Sequence, residues 1–180
     1  MTAQIPDTAI YDGSEWDIIG LRGSGLPVPQ DFGMEPQAPH TACWRGFHAR
    51  YKITESMLIL DEMTVYGLEE PAPDVNEVSP TPGCIGSSVY QQIGLSIPFT
   101  GRLRLARDFI DAMYVHMGFQ MPSAYRRVVD LSFDSGKLIG VNDRSEEAEM
   151  IRSRLGDRPV DQDMLQWIEK RFSMDIDDFE

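Results

Sequence analysis

The chain has 180 residues, 42% of them hydrophobic and 25% charged, a balance typical of one folded domain with a substantial core. Its formal net charge of −13 repels phosphate backbones and anionic lipid surfaces, so we expect neither nucleic acid nor a membrane as its partner. No window approaches the roughly 20 apolar residues of a membrane span and the N-terminus lacks a basic start, so we expect a cytoplasmic protein without a signal peptide.

The first predicted element is a short hairpin within residues 9–23, AIYDGSEWDIIGLRG. Residues 39–53, PHTACWRGFHARYKI, then bring His40, Cys43 and His48 close together in sequence, as a metal site or a nucleophile with its base would. The apolar alternation from Phe47 indicates instead a half-buried strand. If residues 43–53 form one strand, Cys43 and His48 point to opposite faces, roughly 16 Å apart. We therefore interpret this stretch as a strand without metal.

Three further hairpins follow the same alternation. Residues 57–66 run back along the strand that ends near residue 53, and residues 97–109 are expected to turn at Thr100 and Gly101. Strands at 126–133 and 137–143 flank a turn in which Gly136 supplies a positive φ. Alternation predicts these inward-facing side chains: Trp16, Phe47, Tyr51, Leu58, Leu60, Leu103, Leu105, Leu131, Phe133 and Ile139.

A long acidic connection, residues 67–88, separates two of these hairpins and contains four prolines and three glycines. Such a long connection without secondary structure is usually functional or disordered. From Ile53 to Gly101 there is no Lys or Arg, against seven acidic residues. A basic partner would be attracted to this segment. The alternative is that the acidity serves solubility alone.

Helix signals gather at the C-terminus. Residues 143–156 carry a cap at Asp143 or Ser145, acids in the first turn and a closing Gly156, and residues 160–174 place an apolar stripe on a second helix. We expect residues 1–144 to form an antiparallel β domain with the loop 67–88, and residues 145–180 to add helices and an acidic tail packed on it. The expected fold is mainly β (α+β), a β-sandwich or a strongly curved sheet.

No motif announces a reaction or a cofactor, and Cys43 and Cys84 are expected to remain thiols in a reducing compartment. The segments TACWRGF, IPFTGRLRLARDFI, YVHMGF and VVDLSFDSGKLI resemble a group of uncharacterised bacterial proteins that carry W-R-G-aromatic, P-F-T-G and Y-V-H-M-G-F segments in this order. The likeness covers residues 10–144 and implies no activity. In size, acidity and lack of a catalytic signature, the chain is also similar to immunity proteins of bacterial polymorphic toxin systems.

Charge and architecture together favour a non-enzymatic protein that neutralises a basic toxin or effector by occluding its active face. The expected partner-binding residues are acids and two aromatic anchors: Glu69, Glu70, Asp74, Glu77, Trp44, Tyr66, Asp175, Asp177, Asp178 and Glu180. The main alternative is an enzyme or small-ligand binder with a pocket in the β domain near His116, Cys43, Arg45 and Tyr114. A third class is an assembly subunit that uses a sheet edge.

Overall fold

The computed structural model describes residues 2–154 and 174–176, and in them strands dominate. The elements are β1 (Thr8–Tyr11), β2 (Ser14–Ser24), β3 (Phe47–Thr54), β4 (Met57–Tyr66), β5 (Thr81–Pro82), β6 (Ser87–Ser96), β7 (Thr100–Phe109), β8 (Tyr125–Asp134), β9 (Lys137–Asp143) and α1 (Ser145–Arg154). The expected class, a mainly β fold with a curved sheet and a helix after it, is confirmed. The second expected helix, 160–174, falls almost wholly outside the described residues.

All nine strands belong to one mixed sheet in the order β3-β1-β2-β7-β8-β9-β4-β6-β5. Its pairs are antiparallel except for β1 with β3, which run parallel. Strand β3 also pairs along its whole length with β4, so the sheet curves back on itself. The link between β9 and β4 is a single pair, Met57 with Lys137, and β6 occupies the rest of that side of β4.

The predicted hairpins β1–β2, β3–β4 and β8–β9 are confirmed, and the turn of each contains two successive residues with positive φ. Asp12 and Gly13 join β1 to β2 with φ of 49° and 67°. Ser135 and Gly136 join β8 to β9 with φ of 50° and 84°. Two left-handed residues in succession match the right-handed twist of the flanking strands.

Two predicted boundaries are wrong. The strand expected from residue 43 begins at Phe47, because residues 40–46 form successive turns in which the N–H of Cys43 bonds to His40 and the N–H of Gly46 bonds to Cys43. Gly101 is not in a turn but inside β7, opposite Gly23 of β2. A Cβ at Gly101 would lie 2.1 Å from the carbonyl oxygen of Arg22, so glycine is needed for the close approach of two strands.

The predicted core is confirmed except at Ile139, which is 65% exposed. The reason is a β-bulge: Phe133 pairs with Leu138 and Ser132 with Gly140, which leaves Ile139 as an extra residue on β9. The bulge shifts the alternation by one, so that Leu138 and not Ile139 packs against the core.

Helix α1 packs against the outer face of the sheet through the fully buried Ala148, beside Ala106 and Val128. Asp143 caps it, since its carboxylate accepts the N–H of Ser145 at 2.8 Å. Residues 174–176 cover the neighbouring part of the same face, where the N–H of Leu21 donates to the carbonyl of Met174. Among the described residues, no helix has the length and apolar character to cross a membrane.

Candidate functional site

The acidic segment between β4 and β6 is attached to the core by several contacts around Val75. Val75 has no exposed surface and belongs to the main core cluster, and its N–H and carbonyl pair with those of Val78 in a tight turn. The side chain of Asn76 donates to the carbonyl of Ile93 at 2.6 Å, and the hydroxyl of Tyr90 donates to the carbonyl of Pro73 at 2.8 Å. These contacts give the segment a fixed conformation despite its prolines.

The fixed segment encloses a cleft of about 430 Å³ between residues 68 and 88, called here the acidic cleft. Strand β5 forms one wall by pairing with β6. The lining groups that matter chemically are two carboxylates and four hydroxyls: Glu70, Asp74, Ser79, Thr81, Ser87 and Ser88. Three prolines, a leucine and an alanine supply apolar lining, and no basic residue lines the cleft. The volume falls within the range of small-ligand pockets.

The two carboxylates of the acidic cleft differ in their surroundings. Asp74 accepts a hydrogen bond from the Ser79 hydroxyl at 2.7 Å, which orients it. Glu70 is exposed and takes part in none of the hydrogen bonds or ion pairs of the described residues. Glu69 and Glu77 are also exposed but do not line the cleft. All four expected acids of this segment therefore face solvent, and two of them converge on one concavity.

Two of the three other acids in the basic-free stretch are paired with basic residues, whereas Glu55 is exposed at the turn between β3 and β4. Asp61 is buried and lies 2.7 Å from the ammonium of Lys52, and Glu62 pairs with the guanidinium of Arg50. Both pairs lie on the outer face of the β3–β4 hairpin. Of the five acids in this stretch that form no ion pair, four therefore lie on the segment that forms the acidic cleft.

Two side chains with apolar surface, Ile85 and Tyr66, lie near the acidic cleft. Ile85, between the cleft-lining residues Gly83 and Gly86, is 71% exposed and has φ of 56°, a conformation that β-branched residues rarely adopt. Tyr66 lies beside Ser87 in the β4–β6 register, and its ring contacts the rings of His40 and His48. Trp44, the other expected anchor, is 50% exposed.

Two residues of the alternative pocket, Arg45 and Cys43, lie close enough to interact electrostatically, and each also has a partner of its own. Arg45 donates two hydrogen bonds to Asp7, at 2.8 and 2.9 Å, and burial opposes its charge while the Asp7 carboxylate favours it, with a net rise in the pKa of Arg45. Burial raises the pKa of the Cys43 thiol, whose Sγ lies 3.5 Å from the carbonyl oxygen of Phe47. A neutral, buried thiol is a weak nucleophile.

His116, the last member of that set, lies in an irregular segment that follows a short 3-10 turn at Asp111–Met113. Its ring contacts the ring of Tyr114 at 4.8 Å, and no hydrogen bond or ring contact in the described part of the chain joins it to Cys43 or Arg45. Within the same residues, no three side chains among His, Cys, Asp and Glu form a group that could hold a metal ion. The described cysteines are both free, Cys43 buried and Cys84 exposed.

The acidic tail is described only in part. Asp175 is exposed on the short segment that bridges to Leu21, between Met174 and the buried Ile176. Asp177, Asp178 and Glu180 lie outside the described residues. Asp175 therefore lies alongside Leu21 of β2, on a segment fixed to the body of the protein.

Sequence reasoning missed the hydroxyls of the acidic cleft and the exposed Ile85. Ser79, Thr81 and Ser87 carry no signal of their own, because Ser and Thr are common in any connection rich in proline and glycine. The stretch GCIGSS does hold one clue, an isolated β-branched residue between two glycines in an otherwise polar turn.

The chain was compared with protein-family models, with curated proteins and with solved structures, and none of the three comparisons found a match.

Proposed function

We propose that the protein is a non-enzymatic binding protein, bacterial and cytoplasmic, that neutralises a basic toxin or effector as immunity proteins do. The observation that carries the proposal is the acidic cleft, where Glu70 and Asp74 converge on a concavity of about 430 Å³ with no basic residue in its lining. Carboxylates in such a setting attract Lys and Arg side chains of a partner and set the register of binding.

In this mechanism a basic side chain of the partner enters the acidic cleft and the surrounding surface covers the partner's active face. The Ser79–Asp74 hydrogen bond supports the proposal, because it holds one carboxylate in place before binding. Ile85 supplies an exposed apolar contact beside the cleft, and Trp44 and Tyr66 are the aromatic anchors. Glu69, Glu77 and the tail acids then contribute to the long-range field and less to direct contact.

The test is co-expression with the product of the adjacent gene, scored by co-purification and by relief of growth inhibition. The variant Glu70→Gln/Asp74→Asn should lose both, since it removes the two carboxylates of the cleft. The matched control is Glu35→Gln/Glu149→Gln, which removes two exposed charges elsewhere. Loss of complex formation in both variants to the same degree would mean that only overall charge matters. No complex with the unmodified protein would refute the proposal for that partner.

A further inference from the structure

A second charged cluster, of opposite sign, lies on the inner face of the sheet at the end where β2 begins. Arg107 of β7 pairs directly with Arg127 of β8. Asp17 pairs with Ala106, so the next residues along, Trp16 and Arg107, are neighbours across β2 and β7. Trp16 is 3% exposed and belongs to the core. One row across three strands therefore contains an indole and two guanidinium groups.

Both guanidinium groups gather on the same indole. The Cζ atoms of Arg107 and Arg127 lie 4.9 and 5.5 Å from the centroid of the Trp16 ring. Cation–π contact of this kind stabilises each cation separately. It also brings two like charges together, and like charges directly opposite each other on antiparallel strands destabilise the pair.

Protein groups leave these two cations largely unmatched. The Nε–H of Arg107 is buried without a hydrogen-bond acceptor, and the nearest carboxylate, that of Asp108, is 3.6 Å away. The side chain of Arg127, which is exposed, forms no hydrogen bond or salt bridge within the described residues. Asp143 is near enough for Arg127 to lower its pKa, but the larger cause of that lowering is the hydrogen bonding of its carboxylate to Ser145.

Four other arginines with buried or half-buried side chains have acceptors, whereas Arg102, which is half-buried, has none among the described residues. Arg45 is paired with Asp7, Arg104 with Asp130, and Arg144 with Glu147. Arg152 donates to the carbonyls of Ser123 and Tyr125. In a chain with 16 basic and 29 acidic residues, acids to pair with Arg107 and Arg127 are not scarce. The Nε–H groups of Arg50 and Arg144 also lack hydrogen-bond acceptors, so the feature that sets Arg107 and Arg127 apart is the gathering of both cations on one indole.

We propose that Arg107 and Arg127 bind a phosphoryl group over the indole of Trp16. A guanidinium presents five N–H donors in a planar fork that fits the oxygens of a phosphate two at a time. A phosphate dianion has charge and oxygens enough to bridge two such forks and to offset their mutual repulsion. The terminal Nη–H groups of both arginines would donate to its oxygens, and the buried Nε–H of Arg107 would report the change in its surroundings. The ligand class is a small phosphorylated molecule or phosphate itself.

A second pair of facing arginines in the chain provides a matched control for the loss of two charges. Arg22 and Arg102 also pair directly across two strands, β2 and β7, but no aromatic ring of the described residues stacks on them, and Arg22 is exposed. By alternation they lie on the opposite face of β2 and β7 from the inward-facing Leu21 and Leu103. Replacing both by Gln removes the same two charges without touching Trp16.

The experiment titrates the full chain with inorganic phosphate at constant ionic strength, with chloride as the balancing anion. The readouts are the NMR resonance of the Arg107 Nε–H and the tryptophan emission. We expect saturable shifts in both, a loss of affinity of about tenfold or more in Arg127→Gln, and no change in Arg22→Gln/Arg102→Gln. Arg127→Lys, which keeps the charge but not the fork, should bind more weakly than the unmodified protein.

Two further arms separate the sources of the phosphoryl group. Phenyl phosphate tests a phosphate ester, and sulfate tests any tetrahedral dianion. Tighter binding of the ester than of phosphate identifies a phosphorylated small molecule as the ligand class, while equal binding identifies the free anion. An unsaturable response to phosphate, or equal losses in Arg127→Gln and in the Arg22/Arg102 control, would overturn the proposal. Because Arg127 is exposed, its substitution leaves the core intact and the result interpretable.

Discussion

Ile176 packs directly onto the Cα of Gly20, with no room between them for a methyl group. A Cβ at position 20 would lie 2.9 Å from Cγ1 of Ile176 and 3.0 Å from Cβ of Arg104. Ile176 is only 2% exposed, so the last described segment of the chain is fixed to the sheet through this contact. Glycine at position 20 is therefore required by a neighbour and not by its own backbone angles.

The first prediction is that Gly20→Ala releases Ile176. The loss should approach the value of burying one isoleucine side chain, about 1.5–3 kcal/mol in the free energy of unfolding. Ile176→Ala should cost a similar amount, and the double variant should cost less than the sum, because the two changes break one contact. Urea unfolding of the three variants measures this. Additive losses would mean that Gly20 acts through Arg104 instead.

Val75 gives a second prediction, about the segment that forms the acidic cleft. Val75→Ala should lower the free energy of unfolding by about 2 kcal/mol, because it leaves a cavity in the core. It should also free the segment, so that a Glu-specific protease cleaves near Glu69 and Glu77 at a rate above that of the unmodified protein. Val28→Ala, at an exposed site, is the control and should change neither quantity. Unchanged cleavage in Val75→Ala would show that Asn76 and Tyr90 hold the segment without it.

The third prediction concerns the ion pair beneath the C-terminal elements. Arg104 donates to both carboxylate oxygens of Asp130, at 2.7 and 2.8 Å, and each residue is 3% exposed. Asp130→Ala removes the carboxylate that Arg104 shares with Arg144, whose Nε lies 3.4 Å from it, and should cost about 3–5 kcal/mol. Arg104→Met/Asp130→Leu removes both charges and should cost much less. Asp134→Ala, exposed on the same strand, is the control for chemical denaturation.

His48 makes stability depend on pH. Burial lowers the pKa of His48, Arg45 adds to this effect and Asp7 opposes it, so the folded state holds the neutral imidazole. The unfolded chain, with a histidine pKa of about 6.5, binds the proton first as the pH falls. The contribution of His48 is therefore complete above about pH 6.5 and is lost as the pH falls through the lower, folded pKa.

The corresponding variant is His48→Gln, measured by urea unfolding from pH 7 to about pH 5. It should reduce the fall in the free energy of unfolding across this pH range. His40→Gln, on an exposed ring that also contacts Tyr66, is the matched control and should keep the decline. If His40→Gln flattened the profile as much as His48→Gln, the cause would lie in the shared contact with Tyr66 and not in the burial of His48.

Some strands were predictable from the sequence and others were not. The β3–β4 and β8–β9 hairpins follow from alternation and turn residues, because one face of each is buried. Strand β6 was not predicted, since Gln92 and Gly94 adopt positive φ and the register with β4 slips between Leu60 and Glu62. Irregularities of this kind are set by the partner strand, which no local pattern reveals.

The two candidate sites were likewise predictable from the sequence only in part. The sequence locates the charge of residues 67–88, but the acidic cleft exists because Val75 is anchored in a core assembled from distant strands. The pair Arg107–Arg127 was not predicted, because alternation assigns charged residues to the outer face. These two arginines lie two positions along their strands from the inward-facing Leu105 and Val129, and therefore on the same face as they do. Contacts between strands far apart in the chain are needed to find either site.

The last prediction separates the roles of the acidic cleft and the tail in partner binding, and it rests on the proposed function. Carboxylates that contact the partner act mainly on dissociation, whereas charges that contribute only to the field act mainly on association. Exposed charge pairs contribute about 0–1 kcal/mol each, but a summed field raises association rates by about 10–10³-fold and weakens with salt. Replacing Asp175, Asp177, Asp178 and Glu180 by Asn and Gln should therefore slow association at low salt and leave dissociation nearly unchanged.

The cleft variant Glu70→Gln/Asp74→Asn should behave in the opposite way, with faster dissociation and a smaller change in association. Stopped-flow or surface-based kinetics of the co-purifying partner, at low and at physiological ionic strength, measure both rates. The Glu35→Gln/Glu149→Gln control should change association by no more than its share of the total charge. If association responds neither to the tail changes nor to salt, the acidity of the chain serves solubility. If the cleft variant dissociates at the unmodified rate, the acidic cleft is not the contact site.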